Sequence, residues 1–427
     1  MIVRLMTQSG NKCWALCVLV LGMLGPAVVG AQTPPVPTGG NGFKVGEGRL
    51  HPFFDLETRL DTGVGYFLNE ATPEPNDLEE GPSSEMVLRL RPGLKLDVPS
   101  SKLTFNASAR LEYVLYTGLL EPQSTYGSHL EGAADISAHF NPEAPLSFVL
   151  SDQFIRSDQT RNVALGAGVL SLFNELRAKM PYRPGGGAVE ITPELAWAVE
   201  FFSPIGLAVP VGCEEGVCDP DTVDAFDYNN LHAGVDGRWR FLPKTALVLD
   251  VDLDLRNYFQ GDNPDALLLR SMAGLAGLVS PKIAVTAKVG WGFNFGSTGG
   301  NTFLAQLEGT YLYSPTMTFK GGYYRTLNPV AAYGLYRNDR GYVEARALFG
   351  GKLVMHGYLA ADFLGFYTAT APRSDTLVSV DLGPEYQFKP WLVGAAGYLL
   401  STRSSSIEGT GLNYTRHEVY LRLTLVY

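Results

Sequence analysis

The stretch Leu50–Tyr66, LHPFFDLETRLDTGVGY, decides the fold. Its even positions are Leu50, Pro52, Phe54, Leu56, Thr58, Leu60, Thr62, Val64 and Tyr66, whereas the odd ones include His51, Asp55, Glu57, Arg59 and Asp61. A period of two is that of a β-strand whose two faces meet different surroundings. The next segment repeats it, with Met86, Leu88, Leu90, Leu94, Leu96 and Val98 against Glu85, Arg89, Arg91, Lys95 and Asp97. After the turn Pro99-Ser100-Ser101-Lys102 comes a third, with Leu103, Phe105, Ala107, Ala109, Leu111, Tyr113 and Leu115 opposite Thr104, Asn106, Ser108, Arg110 and Glu112.

Carried along the chain, the pattern predicts further strands starting near Ser128, Leu146, Leu170, Ala188, Asn230, Ala246, Ala266, Ile283, Phe303, Met317, Arg340, Leu353, Thr376, Leu392 and Tyr414, eighteen in all. An even number of strands with one apolar face each is what a transmembrane barrel requires, because lipid offers no partner to an open sheet edge. The connections alternate in length. Short ones carry Pro or Gly, such as Leu242-Pro243-Lys244-Thr245, Ser280-Pro281-Lys282, Ser314-Pro315-Thr316, Gly350-Gly351-Lys352 and Lys389-Pro390-Trp391; long ones include Asn69 to Ser83, Ser203 to Asn229 and Ser401 to Asn413. The fold class expected is therefore all-β, a transmembrane antiparallel β-barrel with short periplasmic turns and long extracellular loops. A soluble β-sandwich would not need one outward apolar face on every strand in the same phase.

In the last strand Thr415, His417, Val419, Leu421, Leu423, Leu425 and Tyr427 share a face. A terminal strand ending in an aromatic residue, here Tyr427, resembles the signal by which the outer-membrane assembly machinery recognises its substrates. That machinery and outer-membrane lipid are accordingly expected partners.

Composition agrees with this reading. Charged residues make up 18% of the 427, with 48 Gly and an 11% aromatic share; the mean hydropathy is +0.03. Such a chain is neither disordered nor a charged coiled coil. Beyond the first 31 residues no apolar run approaches the ~18 residues of a spanning helix, so a polytopic helical membrane protein is excluded. Arg4 and Lys12 precede an apolar stretch from Cys13 to Gly30 that ends in the small residues Val29-Gly30-Ala31, which predicts a signal peptide over 1–31. The alternative, a single anchoring helix, lacks a basic cluster after Ala31. A Pro/Gly-rich linker is expected over 32–48 and the barrel over 49–427. Removing 31 of 427 residues leaves 396, and loss of Arg4 and Lys12 takes the net charge from −10 to −12. That balance argues against a nucleic-acid partner. Two cysteines remain, Cys213 and Cys218, whose spacing in an oxidising compartment reads as one small disulfide-closed loop.

A barrel of ~16–18 strands is wide enough for a water-filled channel unless loops fold in. The inward positions carry both signs of charge. Asp250, Asp252, Asp254 and Arg256 lie along one strand with Arg238 and Arg240 on its hairpin partner, and Glu190, Glu194 and Glu200 lie beside Glu175, Arg177 and Lys179. With Glu57, Arg59, Arg89, Arg91, Arg110 and Glu112 they are the candidate pore lining. One reading is a solvated wall of salt bridges. The other adds the inward Tyr258, Tyr324, Tyr342, Tyr358 and Tyr420 and makes the wall a hydrogen-bonding and stacking track for sugar rings. Five histidines, His51, His129, His139, His232 and His356, fall on inward faces of separate strands and read as neutral lining. No nucleophile elbow, zinc-protease or phosphate-loop motif occurs, so neither catalysis, a cofactor nor a metal is expected. The loop Ser203 to Asn229 carries six carboxylates, Glu214, Glu215, Asp219, Asp221, Asp224 and Asp227, without the spaced ligands of a known calcium loop. Plug, lid and exposed loop stay open for it.

Three segments then stand out: Met180-Pro181-Tyr182-Arg183-Pro184-Gly185-Gly186-Gly187 before a Glu-bearing strand, Arg238-Trp239-Arg240-Phe241-Leu242-Pro243-Lys244-Thr245-Ala246-Leu247 before an Asp-rich strand closing at Tyr258, and Ser280-Pro281-Lys282 before Ile283. They resemble outer-membrane β-barrel proteins associated with exopolysaccharide secretion, and the resemblance covers most of the mature chain as short, spaced motifs. It implies an eighteen-stranded barrel of the myxobacterial type, working beside a short periplasmic polysaccharide-export protein that lacks its own outer-membrane segment. The sequence departs from the other class of export porin in having no periplasmic helical-repeat domain. The function expected is an outer-membrane channel for export of a secreted polysaccharide. A general or solute-specific diffusion porin for sugars is the alternative, and a non-conducting surface protein that binds through its loops is a third, marked by an occluded bore.

Overall fold

A computed structural model describes residues 41–63, 84–120, 127–158, 169–204, 224–260, 263–296, 300–331, 334–367, 373–406 and 413–427. The predicted signal peptide, the start of the linker, Cys213, Cys218 and most of the Ser203–Asn229 loop lie outside the described residues. Within them the chain forms nineteen strands. A short β1 (Phe43–Val45) precedes β2 (Gly48–Asp61), β3 (Glu85–Val98), β4 (Leu103–Tyr116), β5 (His129–Phe140), β6 (Phe148–Ser157), β7 (Val169–Lys179), β8 (Val189–Pro204) and β9 (Tyr228–Leu242). Then come β10 (Thr245–Tyr258), β11 (Ala266–Ser280), β12 (Ile283–Asn294), β13 (Thr302–Ser314), β14 (Met317–Val330) and β15 (Gly334–Phe349). The last four are β16 (Leu353–Tyr367), β17 (Arg373–Lys389), β18 (Leu392–Ser405) and β19 (Tyr414–Val426).

From β2 onward each strand pairs antiparallel with its neighbours in sequence, and β19 closes on β2 with Glu418 opposite Asp61 and Val426 opposite Phe53. The result is a closed up-and-down barrel of eighteen strands, with β1 added at the rim as a hook that pairs Phe43 with Leu50. The stretch read as linker thus already contains a strand. Closure satisfies every edge, the condition for a sheet in lipid.

The apolar phase of each strand faces outward. Leu56, Leu60, Leu111, Leu195, Leu253, Leu307, Leu359 and Leu421 are all exposed, whereas Glu57, Asp61, Glu112 and Asp254 in the other phase are buried. Exposed aromatics mark the two ends of this apolar band. Trp239, Phe241, Tyr311, Tyr313, Phe349, Tyr386, Phe388, Trp391 and Tyr427 stand near the short turns, with Tyr113, Phe259, Trp291, Phe293, Phe303 and Phe363 near the opposite rim. Two aromatic girdles around an apolar belt are the architecture of outer-membrane barrels, and the bacterial outer membrane is where this one resides.

The turns show how local sequence sets register. At Pro243, Pro281, Pro315 and Pro390 a short turn adjoins a register shift in the ladder, between Thr245 and Leu247, Leu278 and Ser280, Leu312 and Ser314, and Gln387 and Lys389. Proline presets a turn of ordinary hand, which splays a hairpin unless a bulge restores the twist. The β15–β16 turn differs. Gly350 and Gly351 have φ of 57° and 69°, the Lys352 N–H donates to the Phe349 carbonyl at 3.2 Å, and the ladder runs on without a shift. Glycine supplies the left-handed pair whose twist already matches the strands.

One predicted strand start is corrected. The strand expected near Arg340 begins at Gly334. Its added residues put Arg337 and Asp339 in the outward phase, where Asp339 accepts from Arg325 at 2.5 Å and from Arg337 at 2.8 Å. A charged outward face above the lipid band erases the apolar alternation that identifies a strand.

Candidate channel interior

The inward phase of β19, β2, β3 and β4 holds a continuous run of alternating charge. Asp61 accepts from Arg416 (2.5 Å), whose guanidinium also lies 3.4 Å from Glu418. Arg59 joins Glu418 to Glu57, both at 2.6 Å, and Arg91 joins Glu57 to Glu112, both at 2.8 Å. Arg89 bonds Glu112 at 2.8 Å and carries the run on to Glu131 of β5 at 3.7 Å. Glu57 is 1% exposed and Arg59 8%. The partners are not the residues directly opposite: Glu57 stands across from Arg422 on β19 and Arg89 on β3 but bonds Arg59 on its own strand and Arg91 diagonally on β3. Ions held this closely cancel one another's field and leave little net charge toward the bore.

A second group occupies β7 to β12. Arg177 bonds Glu175 (2.9 Å) and Glu194 (2.6 Å), Lys179 reaches Glu194, and Arg183 in the following turn bonds Glu190 at 3.0 Å. His232 sits between carboxylates, 2.8 Å from Glu194 and 3.0 Å from Asp254. Asp254 also accepts from Arg270 and Asp250 from Lys288. The aspartate row therefore pairs forward, with β11 and β12, and not with Arg238 and Arg240 as its position on the hairpin suggests. The β9–β10 register sets Arg238 opposite Val248 and Asp236 opposite Asp250, so both arginines lie toward the short-turn rim, past the row. Arg256 stacks on the Tyr228 ring at 3.9 Å, and Tyr228 donates to Glu200 at 2.6 Å. Tyr258 packs edge-on against Tyr228 in a cluster with Val169 and Phe202. It belongs to that apolar cluster and not to an open track.

Three of the named tyrosines come together. Tyr324, Tyr342 and Tyr358 on β14, β15 and β16 form a file with centroids 5.3 and 6.2 Å apart, the first pair nearly parallel at 13°. Tyr342 donates to Glu308 at 2.7 Å and Arg340 donates to the Tyr358 hydroxyl at 2.7 Å. Tyr420 stands apart, with the guanidinium carbons of Arg59 and Arg422 5.6 and 5.7 Å from its ring centre. At the short-turn rim Tyr427 donates its N–H to the Pro52 carbonyl at 3.0 Å and sets its ring 4.8 Å from Phe43.

A feature missing from the sequence reading narrows the bore. The β13–β14 ladder ends at Ala305 opposite Arg325, whereas β14 and β15 stay paired out to Val330 opposite Gly334. There β14 parts from β13 and turns inward, while β15 stays paired with β16 as far as Leu335 opposite Tyr367. Leu327 and Leu335, each 0% exposed, pack with Leu304 of β13 and with Ala266 and Leu268 of β11. Arg256 donates to the Pro329 carbonyl at 3.1 Å and Arg270 to the Leu327 carbonyl at 3.3 Å, so the tip is tied to β10 and β11 across the interior. Gly292 on β12 leaves the room this needs, because a Cβ there would lie 3.1 Å from Leu327. A signal exists in the sequence: Leu327–Leu335, LNPVAAYGL, has no charge and is unlike the acidic loops beside it.

No known protein family matches this sequence, and no curated protein matches it. Solved structures similar in fold include OccAB4 of Acinetobacter baumannii (14% identity, 88% of this chain and 98% of that one, TM-score 0.45). The outer membrane protein opdK of Pseudomonas aeruginosa (10% identity, 88% and 99%, TM-score 0.45) and the siderophore receptor PirA of the same organism (9%, 89% and 80%, TM-score 0.45) are others.

Proposed function

We propose that this barrel is an outer-membrane channel through which a secreted polysaccharide leaves the cell. The observation that carries the reading is the file Tyr324–Tyr342–Tyr358, flanked by Arg340 and Glu308, in a wall whose charges are mostly paired with one another. Aromatic faces with hydroxyls at their edges bind sugar rings weakly and repeatedly, and a wall with little net field neither traps nor repels a hydrated polymer. The barrel performs no chemistry in this scheme. A periplasmic polysaccharide-export protein delivers the chain to the short-turn rim.

A solute-specific sugar porin is the second reading, and the inward β14–β15 hairpin favours it by narrowing the passage. Gene deletion separates the two. Loss of surface polysaccharide is the result expected for export; unchanged polysaccharide together with free swelling of barrel-bearing liposomes in small sugars is the result expected for a porin. Within the export scheme Tyr324→Ala lowers the secreted polymer several-fold, at ~0.5–1.5 kcal/mol per lost ring contact, whereas Tyr324→Phe keeps the ring and most of the flux; Tyr342, 8% exposed, is the packed centre of the file.

A further inference from the structure

We propose a divalent-cation site on the inner wall at the long-loop end of β5 and β6, made by His129, Glu131 and Asp158. One ligand atom from each lies within 4.8 Å of the others. The His129 tautomer follows from its surroundings: Nδ1 is 2.6 Å from the Gly127 carbonyl oxygen, an acceptor only, so this nitrogen carries the hydrogen and donates. In the neutral ring Nε2 then presents a lone pair, and it points at Glu131 Oε1, 3.1 Å away. Period two puts Glu131 on the same inward face. Asp158, one residue past β6, donates its backbone N–H to Glu131 at 2.9 Å, which fixes its side chain beside the pair. Its Oδ1 is buried and accepts no hydrogen bond among the described residues.

Three electron-pair donors thus converge in a place where the side chains are 9%, 6% and 8% exposed. One cation lies in ion-pair range of both carboxylates and hydrogen-bonds neither among the described residues. Arg89 stops 3.7 Å from Glu131 and 3.8 Å from Asp158 because its guanidinium is held by Glu112 at 2.8 Å. An ion accepting one imidazole nitrogen and two carboxylate oxygens would satisfy all three, and that donor set suits zinc or manganese. A backbone carbonyl holding the far ring nitrogen is the usual outer support of a metal-bound histidine. The other such group among the described residues, Glu194, His232 and Asp252, differs: both nitrogens of His232 already face carboxylates and Glu194 is taken by Arg177 and Lys179, which makes an ion-pair cluster.

The test is titration of the full-length, metal-stripped barrel in detergent with zinc, and with manganese, by calorimetry. One saturable site per barrel is expected for at least one of the two. Glu131→Gln and Asp158→Asn should weaken it by about tenfold or more and His129→Gln similarly, whereas His232→Asn leaves it in place. Heat-modifiable migration on a gel shows that each variant is folded. Should a variant fail to fold, X-ray absorption of the metal-loaded wild type answers instead, with one imidazole and oxygen ligands expected. No saturable binding, binding unchanged in the Glu131→Gln/Asp158→Asn double variant, or a metal shell containing sulfur or two imidazoles would overturn the proposal.

Discussion

Glu57 illustrates how single residues hold this wall. Its carboxylate accepts from Arg59 and Arg91 while 1% exposed. Removing it leaves Arg59 with Glu418 alone and Arg91 sharing Glu112 with Arg89, one buried positive charge in excess, which costs up to ~3–5 kcal/mol. Glu57→Ala should therefore lower the unfolding free energy of the refolded barrel by that much, read as a lower urea midpoint at unchanged slope, and an unchanged midpoint would mean that water in the bore already screens these ions. At this scale the sequence was informative about phase and uninformative about partners. Alternation alone put Glu57, Arg59, Arg89, Arg91 and Glu112 on one face. That Asp254 meets Arg270 on β11 and not Arg238 on β9 follows from the register, which sets Arg238 opposite Val248, six residues along the strand from Asp254, and residue types do not say on which neighbouring strand a partner lies.

Elements were legible where lipid meets them. Strands such as β2, β4 and β19 alternate because one face must be apolar, and their short turns announce themselves through Pro or Gly-Gly. The turn at Gly350-Gly351 makes a sharp prediction. Each φ is positive, 57° and 69°, so replacing either by Ala should cost ~1–2 kcal/mol of barrel stability in the same urea titration, although a Cβ at either site would meet nothing within 4 Å. Legibility fails where an element leaves the membrane. The first residues of β15 and the last of β14 face an interior packed with Leu268 and Leu304, so their pattern answers to that contact and not to lipid. Leu327→Asp places a charge in this apolar contact. It should free the hairpin tip and expose residues 327–335 to limited proteolysis in the folded barrel; equal protection of wild type and variant would contradict the inward packing.

For the whole molecule, the 427 residues that would suggest several soluble domains measure the circumference of one barrel, at about 24 residues per strand and connection over eighteen strands. Closure of β19 on β2 makes stability a property of the ring, because each of the eighteen barrel strands owes both its edges to neighbours. The negative net charge is distributed between loops and a wall that carries many arginines, which is why composition does not name a permeant. The central claim is a water-filled passage through eighteen strands, narrowed by the β14–β15 hairpin. Single-channel conductance in planar bilayers tests it most directly, comparing wild type with a variant in which residues 328–334 are replaced by a two-residue turn. Discrete conductance steps that grow severalfold in the variant are predicted. Identical steps, or no conductance from either barrel, would contradict the account.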